Sequence, residues 1–261
     1  MLKKRLIGIV LVKDGWAVQS FGYSKYLPLG KPECVIENLD RWGADEIMVL
    51  SIDRTRKKLG PDFQLLRSLG KLGLSTPLIY GGGIDSVQNG IDIVRSGADR
   101  ISIDSMLVSD INQVASLAEQ LGAQAVIASL PLAILNGNLN WFNYRNKQLM
   151  DFSEKLLEFM KEGIISEAFV TDYRHEGYPQ SFDEDLIQEF PIKEIPLIAF
   201  GGLSDSGQIS NILNRNQVSA IAIGNFLNYK EQSLQLYKES IIHHTLRPSI
   251  YKQSYSLLDY E

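Results

Sequence analysis

Two glycine tracts determine what chemistry this sequence can support. Pro77-Leu78-Ile79-Tyr80 runs into Gly81-Gly82-Gly83, and Pro196-Leu197-Ile198-Ala199-Phe200 runs into Gly201-Gly202 about 120 residues later. A short apolar run ending in glycine reads as a buried strand whose tip something must approach closely, because glycine lacks the blocking Cβ. Backbone N–H groups left free there suit a phosphate. Each tract leads through a helix-like run into a second apolar stretch, Arg100-Ile101-Ser102-Ile103-Asp104-Ser105 in one case and Ala220-Ile221-Ala222-Ile223-Gly224-Asn225 in the other. A second group able to do chemistry is acidic: Asp53, Asp172, Glu176 and Asp183, with His175 among them. Carboxylates and a histidine on one rim can do acid–base work, and on separate loops they are solvated surface charges. His243-His244 falls near the end of the last helical stretch, where the helix dipole favours a cation.

Positioning these groups takes strands that alternate with helices. Strand patterns occupy residues 5–12, 46–52, 77–80, 100–104, 124–130, 168–171, 196–200 and 219–223. Amphipathic stretches occupy 34–42, 62–71, 87–95, 111–121, 153–161, 184–189, 206–213 and 231–241. Continuously apolar strands, each followed by a helix, make a parallel sheet buried on both faces. Eight of them with a half-chain repeat predict a closed (β/α)8 TIM barrel in the α/β class, for which about 250 residues is usual. No Pro/Ser/Gly-rich linker interrupts the 261 residues, so one domain is expected, with 246–261 as a tail bearing Tyr251, Tyr255 and Tyr260. The active face of such a barrel lies at the strand C-terminal ends. Two long loops, 19–31 and 136–150, open onto it and bring Phe21, Tyr23, Tyr26, Trp141, Phe142 and Tyr144.

Composition narrows the partners. The 26 basic and 31 acidic residues give a net charge of −5 without a basic block, which argues against nucleic acid or an anionic membrane surface. Cys34 is the single cysteine, so no internal disulfide forms, and no apolar run approaches the roughly 18 residues of a membrane span. Lys3, Lys4 and Arg5 precede an apolar run that ends at Lys13-Asp14-Gly15 without a small-residue cleavage site, so the segment reads as a first strand and a cytoplasmic location is expected. No cofactor and no metal site are expected.

Met1-Leu2-Lys3-Lys4-Arg5, Val12-Lys13-Asp14-Gly15, Gly43-Ala44-Asp45-Glu46, Tyr80-Gly81-Gly82-Gly83-Ile84, Gly97-Ala98-Asp99 and Gly122-Ala123-Gln124-Ala125-Val126 occur in this order. Together they resemble the cyclase subunit of imidazole glycerol phosphate synthase, from Met1 to about Phe226. The resemblance implies a (β/α)8 barrel that receives ammonia from a glutaminase partner through its interior and uses it on a substrate with a phosphate at each end. Carried over by position, Gly82, Asp104 and Ser105 correspond to the first phosphate group, and Gly177, Gly202, Ile223 and Gly224 to the second. Asp104 stands where the family has an amide, and its carboxylate would repel a phosphate dianion unless a neighbour such as Arg100 offsets it. Arg5, Glu46, Arg100 and Glu167 correspond to the charged ring around the ammonia entrance, and Asp99 to a contact with the glutaminase.

At the catalytic positions the chain departs from the family. The general acid and base of the resembled family are two aspartates at the ends of the first and fifth strands, and those positions here are Leu11 and Pro131. The mobile-loop lysine falls at Gln19 and the acid after the second strand at Ser51. Each lost acid–base group costs about 10²–10⁴ in rate, so cyclase turnover is expected to be negligible. Asp53-Arg54-Thr55-Arg56-Lys57, then Pro61-Asp62-Phe63, then Tyr80-Gly81-Gly82-Gly83 is similar to a divergent, glycosyl-amidation-associated (WbuZ-like) subgroup found with surface-polysaccharide genes. That points to a barrel supplying ammonia for amidation of a sugar. The alternatives are the parent cyclase of histidine biosynthesis and a non-catalytic scaffold that binds a phosphometabolite.

Overall fold

A computed structural model describes residues 3–241 and 246–248 of the chain. Its strands are β1 (Arg5–Lys13), β2 (Trp16–Phe21), β3 (Lys25–Gly30), β4 (Glu46–Ser51), β5 (Leu78–Gly81), β6 (Arg100–Ile103), β7 (Val126–Leu135), β8 (Asn138–Asn143), β9 (Gln148–Met150), β10 (Glu167–Asp172), β11 (Leu197–Phe200) and β12 (Val218–Ile223). Its helices are α1 (Pro32–Arg41), α2 (Arg54–Lys57), α3 (Phe63–Gly70), α4 (Val87–Arg95), α5 (Ser105–Ser109), α6 (Ile111–Leu121), α7 (Glu154–Lys161), α8 (Asp185–Gln188), α9 (Ser206–Leu213) and α10 (Ser233–Ser240). Eight strands pair in parallel in the order β1-β4-β5-β6-β7-β10-β11-β12, and β12 returns to β1 to close a (β/α)8 barrel. His243, His244 and the tail tyrosines lie outside the described residues.

Strand alternation divides the buried side chains into two sets. Ile7, Ile9, Met48, Ile79, Ile127, Phe169, Ile198, Phe200, Ala220 and Ala222 point inward and fill the barrel, with Phe169 and Phe200 stacked at 5.4 Å. The alternate residues, among them Leu6, Val10, Ile47, Val49, Tyr80 and Ile101, point outward and pack beneath the helices. Each such aliphatic side chain contributes about 1.5–3 kcal/mol on full burial. Helix starts are set by side chains that accept the free N–H groups of the first turn: Asp62 for α3, Ser86 for α4, Asp110 for α6, Ser153 for α7 and Asp205 for α9. The repeated Gly-Ala-Asp has a related local use. Asp45 accepts the N–H of Leu6 at 2.7 Å and Asp99 that of Leu78 at 2.8 Å, so each fixes the start of a neighbouring strand.

The two segments expected as loops are β-hairpins instead. Lys13 pairs with Trp16 across Asp14-Gly15, and Leu135 pairs with Asn138 across Asn136-Gly137. All four turn residues have positive φ, between 52° and 79°, the conformation of a type I′ turn that matches strand twist. A further turn, Gly22 to Ser24 between β2 and β3 and Tyr144 to Lys147 between β8 and β9, brings each extension to its tip. The first strand of each half-barrel therefore carries the same attachment. The glycine tracts repeat as well, with φ of 111° and 71° at Gly82 and Gly83 and 101° and 76° at Gly201 and Gly202.

Candidate functional site

At the C-terminal ends of the strands lies a cavity of about 980 Å³. Leu11, Leu50, Ser51, Gly81, Gly82, Asp104, Ser129, Phe169, Thr171 and Phe200 bring the barrel to its wall, and both hairpin tips contribute to it. From the first tip come Gly22, Tyr23 and Ser24, and from the second Tyr144, Arg145 and Lys147. The tips meet, with the rings of Tyr23 and Tyr144 5.2 Å apart, and Phe142 on β8 stacks on Tyr173 at 4.5 Å. Of the six aromatics expected here, Tyr23, Tyr26, Phe142 and Tyr144 line the cavity, and Phe21 is not part of the wall. Trp141 is buried instead against Phe152, 6.1 Å away. Tyr173, Tyr178, Arg56, Arg145, Lys147 and Arg174 also line it. Apart from Arg56, these carry no signal in the sequence, because no spacing relates a hairpin tip or a later loop to a strand end elsewhere on the barrel.

The wall carries five cations, Lys13, Arg56, Arg145, Lys147 and Arg174, against the carboxylates of Asp53 and Asp104. An anionic ligand suits that imbalance. A second cavity of about 350 Å³ adjoins it, sharing Thr55, Arg56 and Arg145 and adding Arg54, Lys58, Gly83 and Ser105. Arg54 is committed to its own loop, donating to the carbonyls of Gly60 and Pro61 at 2.8 Å each. Gly83 donates its N–H to Thr55 Oγ1 at 3.0 Å, so that amide is already engaged.

The residues expected at the first phosphate group are thus spread along these two cavities: Gly82 and Asp104 in the larger, Ser105 in the smaller. Arg100 does not offset Asp104. It sits at the opposite end of β6, where it meets Glu167 at 2.7 Å, and Arg145 is the cation that acts on Asp104. Burial dominates at Asp104 and raises its pKa, against the opposing pull of the Ser105 N–H and Arg145. Gly177, Gly202, Ile223 and Gly224 are not part of the wall of either cavity. A Cβ at Gly177 would stand 2.2 Å from the carbonyl oxygen of Ser20, and one at Gly202 2.6 Å from Ser181 Oγ. The first hairpin lies over this end, where Asn225 donates to the Ser20 carbonyl at 2.6 Å and accepts the Ser20 N–H at 3.2 Å.

Leu11 and Pro131, the residues expected at the catalytic positions of the resembled family, have no side chain that can carry a proton. Leu11 contributes a buried aliphatic surface to the wall, and Pro131 sits within β7 opposite Thr171. Gln19 is buried in β2 and approaches the Asn225 carbonyl, and Ser51 lines the cavity. The candidate replacement acids are not gathered together. Asp53 is in the wall, tied to Lys57 at 2.8 Å. Asp172 holds the following loop in place by accepting from His175 Nδ1 at 2.7 Å, from the N–H of Asp183 at 2.8 Å, and from the N–H groups of Arg174 and His175. Glu176 accepts from Ser20 Oγ at 2.9 Å and from the Tyr23 N–H, beneath the first hairpin. Burial raises the pKa of both Asp172 and Glu176, and neither lines the cavity. The one inward carboxylate on a barrel strand end, Asp104, was read from sequence as a phosphate contact.

At the floor, Arg5, Glu46, Arg100 and Glu167 close a ring. Arg5 meets Glu46 at 2.7 Å and also Glu167, and Arg100 meets Glu167 at 2.7 Å and Glu46 at 3.4 Å. Burial works against the charge on Arg5, but Glu167 and Glu46 outweigh it and raise its pKa. At Glu167 burial is likewise outweighed, by Arg5 and then Arg100, and its pKa is lowered.

Comparison with known proteins agrees with this anatomy. The chain is 28% identical over 240 residues to a Vibrio vulnificus protein provisionally named imidazole glycerol phosphate synthase subunit hisF2, an alignment covering 89% of this chain and 86% of that one. It is 27% identical to the imidazole glycerol phosphate synthase subunit HisF of Bacillus cereus, covering 92% and 96% of the two chains. To the HisF subunit of an Exiguobacterium species it is 23% identical, covering 94% and 96%. The histidine biosynthesis protein family matches residues 5–233, a span that takes in all eight barrel strands. The chain therefore belongs to that family, as a barrel similar to its HisF subunits.

Proposed function

We propose that this chain is the ammonia-accepting barrel subunit of a glutamine-dependent amidotransferase, acting on a phosphorylated, sugar-like substrate without the ring-closing chemistry of HisF. The observation that carries this reading is the contrast between the two ends of the barrel. Four charged residues form a closed ion-pair ring at the floor, while Leu11 and Pro131, the residues expected where the resembled family has its acid and base, can move no proton at the top. A burial of four charges has a desolvation cost that an apolar floor would avoid. Its retention beside vacated catalytic positions favours a role at the floor, namely receiving ammonia from a glutaminase partner, with Asp99 at the docking surface.

The larger cavity supports the substrate half of the proposal. Its aromatic rings suit a sugar or base ring and its excess of cations suits phosphate. Amidation of a glycan precursor, as in the glycosyl-amidation-associated subgroup, is the function that fits both ends. The test is co-expression with a HisF-associated glutaminase. Complex formation at micromolar concentration and faster glutamine hydrolysis in the complex are expected, and a failure to associate overturns the reading. In parallel, turnover of the ribulosyl substrate with free ammonia is expected to fall at least about 10⁴-fold below that of a HisF subunit, since two acid–base groups are absent.

A further inference from the structure

Asp104 occupies the first phosphate position with its own negative charge. Its Oδ1 accepts the N–H of Ser105, a donor that an incoming anion would otherwise use. Beside it Ser105 Oγ, in a residue only 8% exposed, has no hydrogen-bond partner and lines the smaller cavity. The groups that act on Asp104 from another element are Arg145 and Tyr144 of the second hairpin tip, and Tyr23 of the first tip and Arg56 of α2 line the same cavity. Asp53, Lys13, Lys147 and Arg174 complete the charges of the same wall. Arg145 acts on Asp104 through space, without a hydrogen bond or ion pair between them among the described residues.

We infer that an anion binds at this position only together with a proton on Asp104. An ionised Asp104 repels a dianion at contact distance, whereas its protonated carboxyl offers an O–H donor beside the unpartnered Ser105 hydroxyl. Burial already raises the pKa of this carboxyl, which brings its protonation nearer to the working range. Asp104 thus selects against fully charged phosphate at high pH, which an amide at the same position would not do. The inference rests on the anion-binding reading of the cavity given above.

Sulfate is the probe, because it stays fully ionised over the pH range used and adds no titration of its own. Calorimetric titration of the full chain is expected to show affinity falling about tenfold per pH unit above the Asp104 pKa, with uptake of about one proton when buffers of different ionisation enthalpy are compared. Asp104→Asn is expected to bind sulfate with affinities equal to within about twofold at about pH 5.5 and about pH 8.5. A wild-type affinity that does not change with pH, a variant that keeps the slope, or binding without proton uptake would each overturn the inference and leave the anion site standing. The proton count needs only the wild-type protein, so it decides even if the variant fails to fold. Absence of sulfate binding by both proteins at both pH values would overturn the anion site and the inference together.

Discussion

Three buried carboxyls show how one residue type takes different work from its surroundings. Asp172 accepts four hydrogen bonds inside one loop. Asp172→Ala is expected to lower stability by about 3 kcal/mol, since it strands buried donors, and urea denaturation measures it. Glu176 and Glu167 have opposite pH signatures. Burial raises the Glu176 pKa above its usual 4.5, so its contribution to stability is complete below that value and is lost as pH rises through the folded pKa. Glu167 is lowered from 4.5, so its contribution is present above that value and is lost as pH falls through the folded pKa. Glu176→Gln removes the first of these. Its stability relative to wild type is expected to improve as pH rises above the usual glutamate value and to level off once the folded pKa is passed, and a constant difference would refute the sign. The identities of these acids were legible in the sequence, and so was their position at a strand end or in the loop after it. That Asp172 and Glu176 are turned away from the cavity was not, because that depends on how the following loop and the first hairpin come to rest.

At the level of elements, the eight barrel strands and their helices follow from apolar runs and caps, and boundaries differ by a residue or two except in β7, which runs five residues past its expected end into the second hairpin. The hairpins were missed although their turns carry the strongest short signal available, Asp14-Gly15 and Asn136-Gly137 between strand-like flanks. In β3, with Pro28 in its midst, and in the three-residue β9, every side chain is exposed or half-buried, so neither has a core-facing alternation to read. Two kinds of glycine can now be separated by substitution. At Gly137 nothing lies within 4 Å of an added Cβ, so Gly137→Ala carries only the cost of positive φ, about 1–2 kcal/mol. At Gly82 a Cβ would stand 2.2 Å from the Ser51 carbonyl oxygen, and the backbone there cannot yield. Gly82→Ala is expected to lose more than about 3 kcal/mol or fail to fold, and thermal melts of the two variants side by side check the order.

Across the whole molecule, closure of the barrel makes the ring at the floor a single cooperative unit. Arg5 alone joins Glu46, Glu167 and the Ser219 hydroxyl. Arg5→Met leaves two buried carboxylates with one cation between them, and is expected to destabilise the chain by about 3–5 kcal/mol. Removing both a cation and an anion, as in Arg5→Met with Glu167→Gln, is expected to cost less than the sum of the single changes, which a double-mutant cycle reads directly.

Above that ring the barrel axis is lined by Ile7, Ile9, Met48, Ile79, Ile127 and Ile198. A solute crossing the barrel, as the proposed function requires, would leave a collar of charge for packed hydrocarbon, where an ion forfeits its hydration and an uncharged molecule of the same size forfeits little. The floor and the packed interior together would therefore act as a filter for protonation state: a small base could advance only after surrendering its proton below.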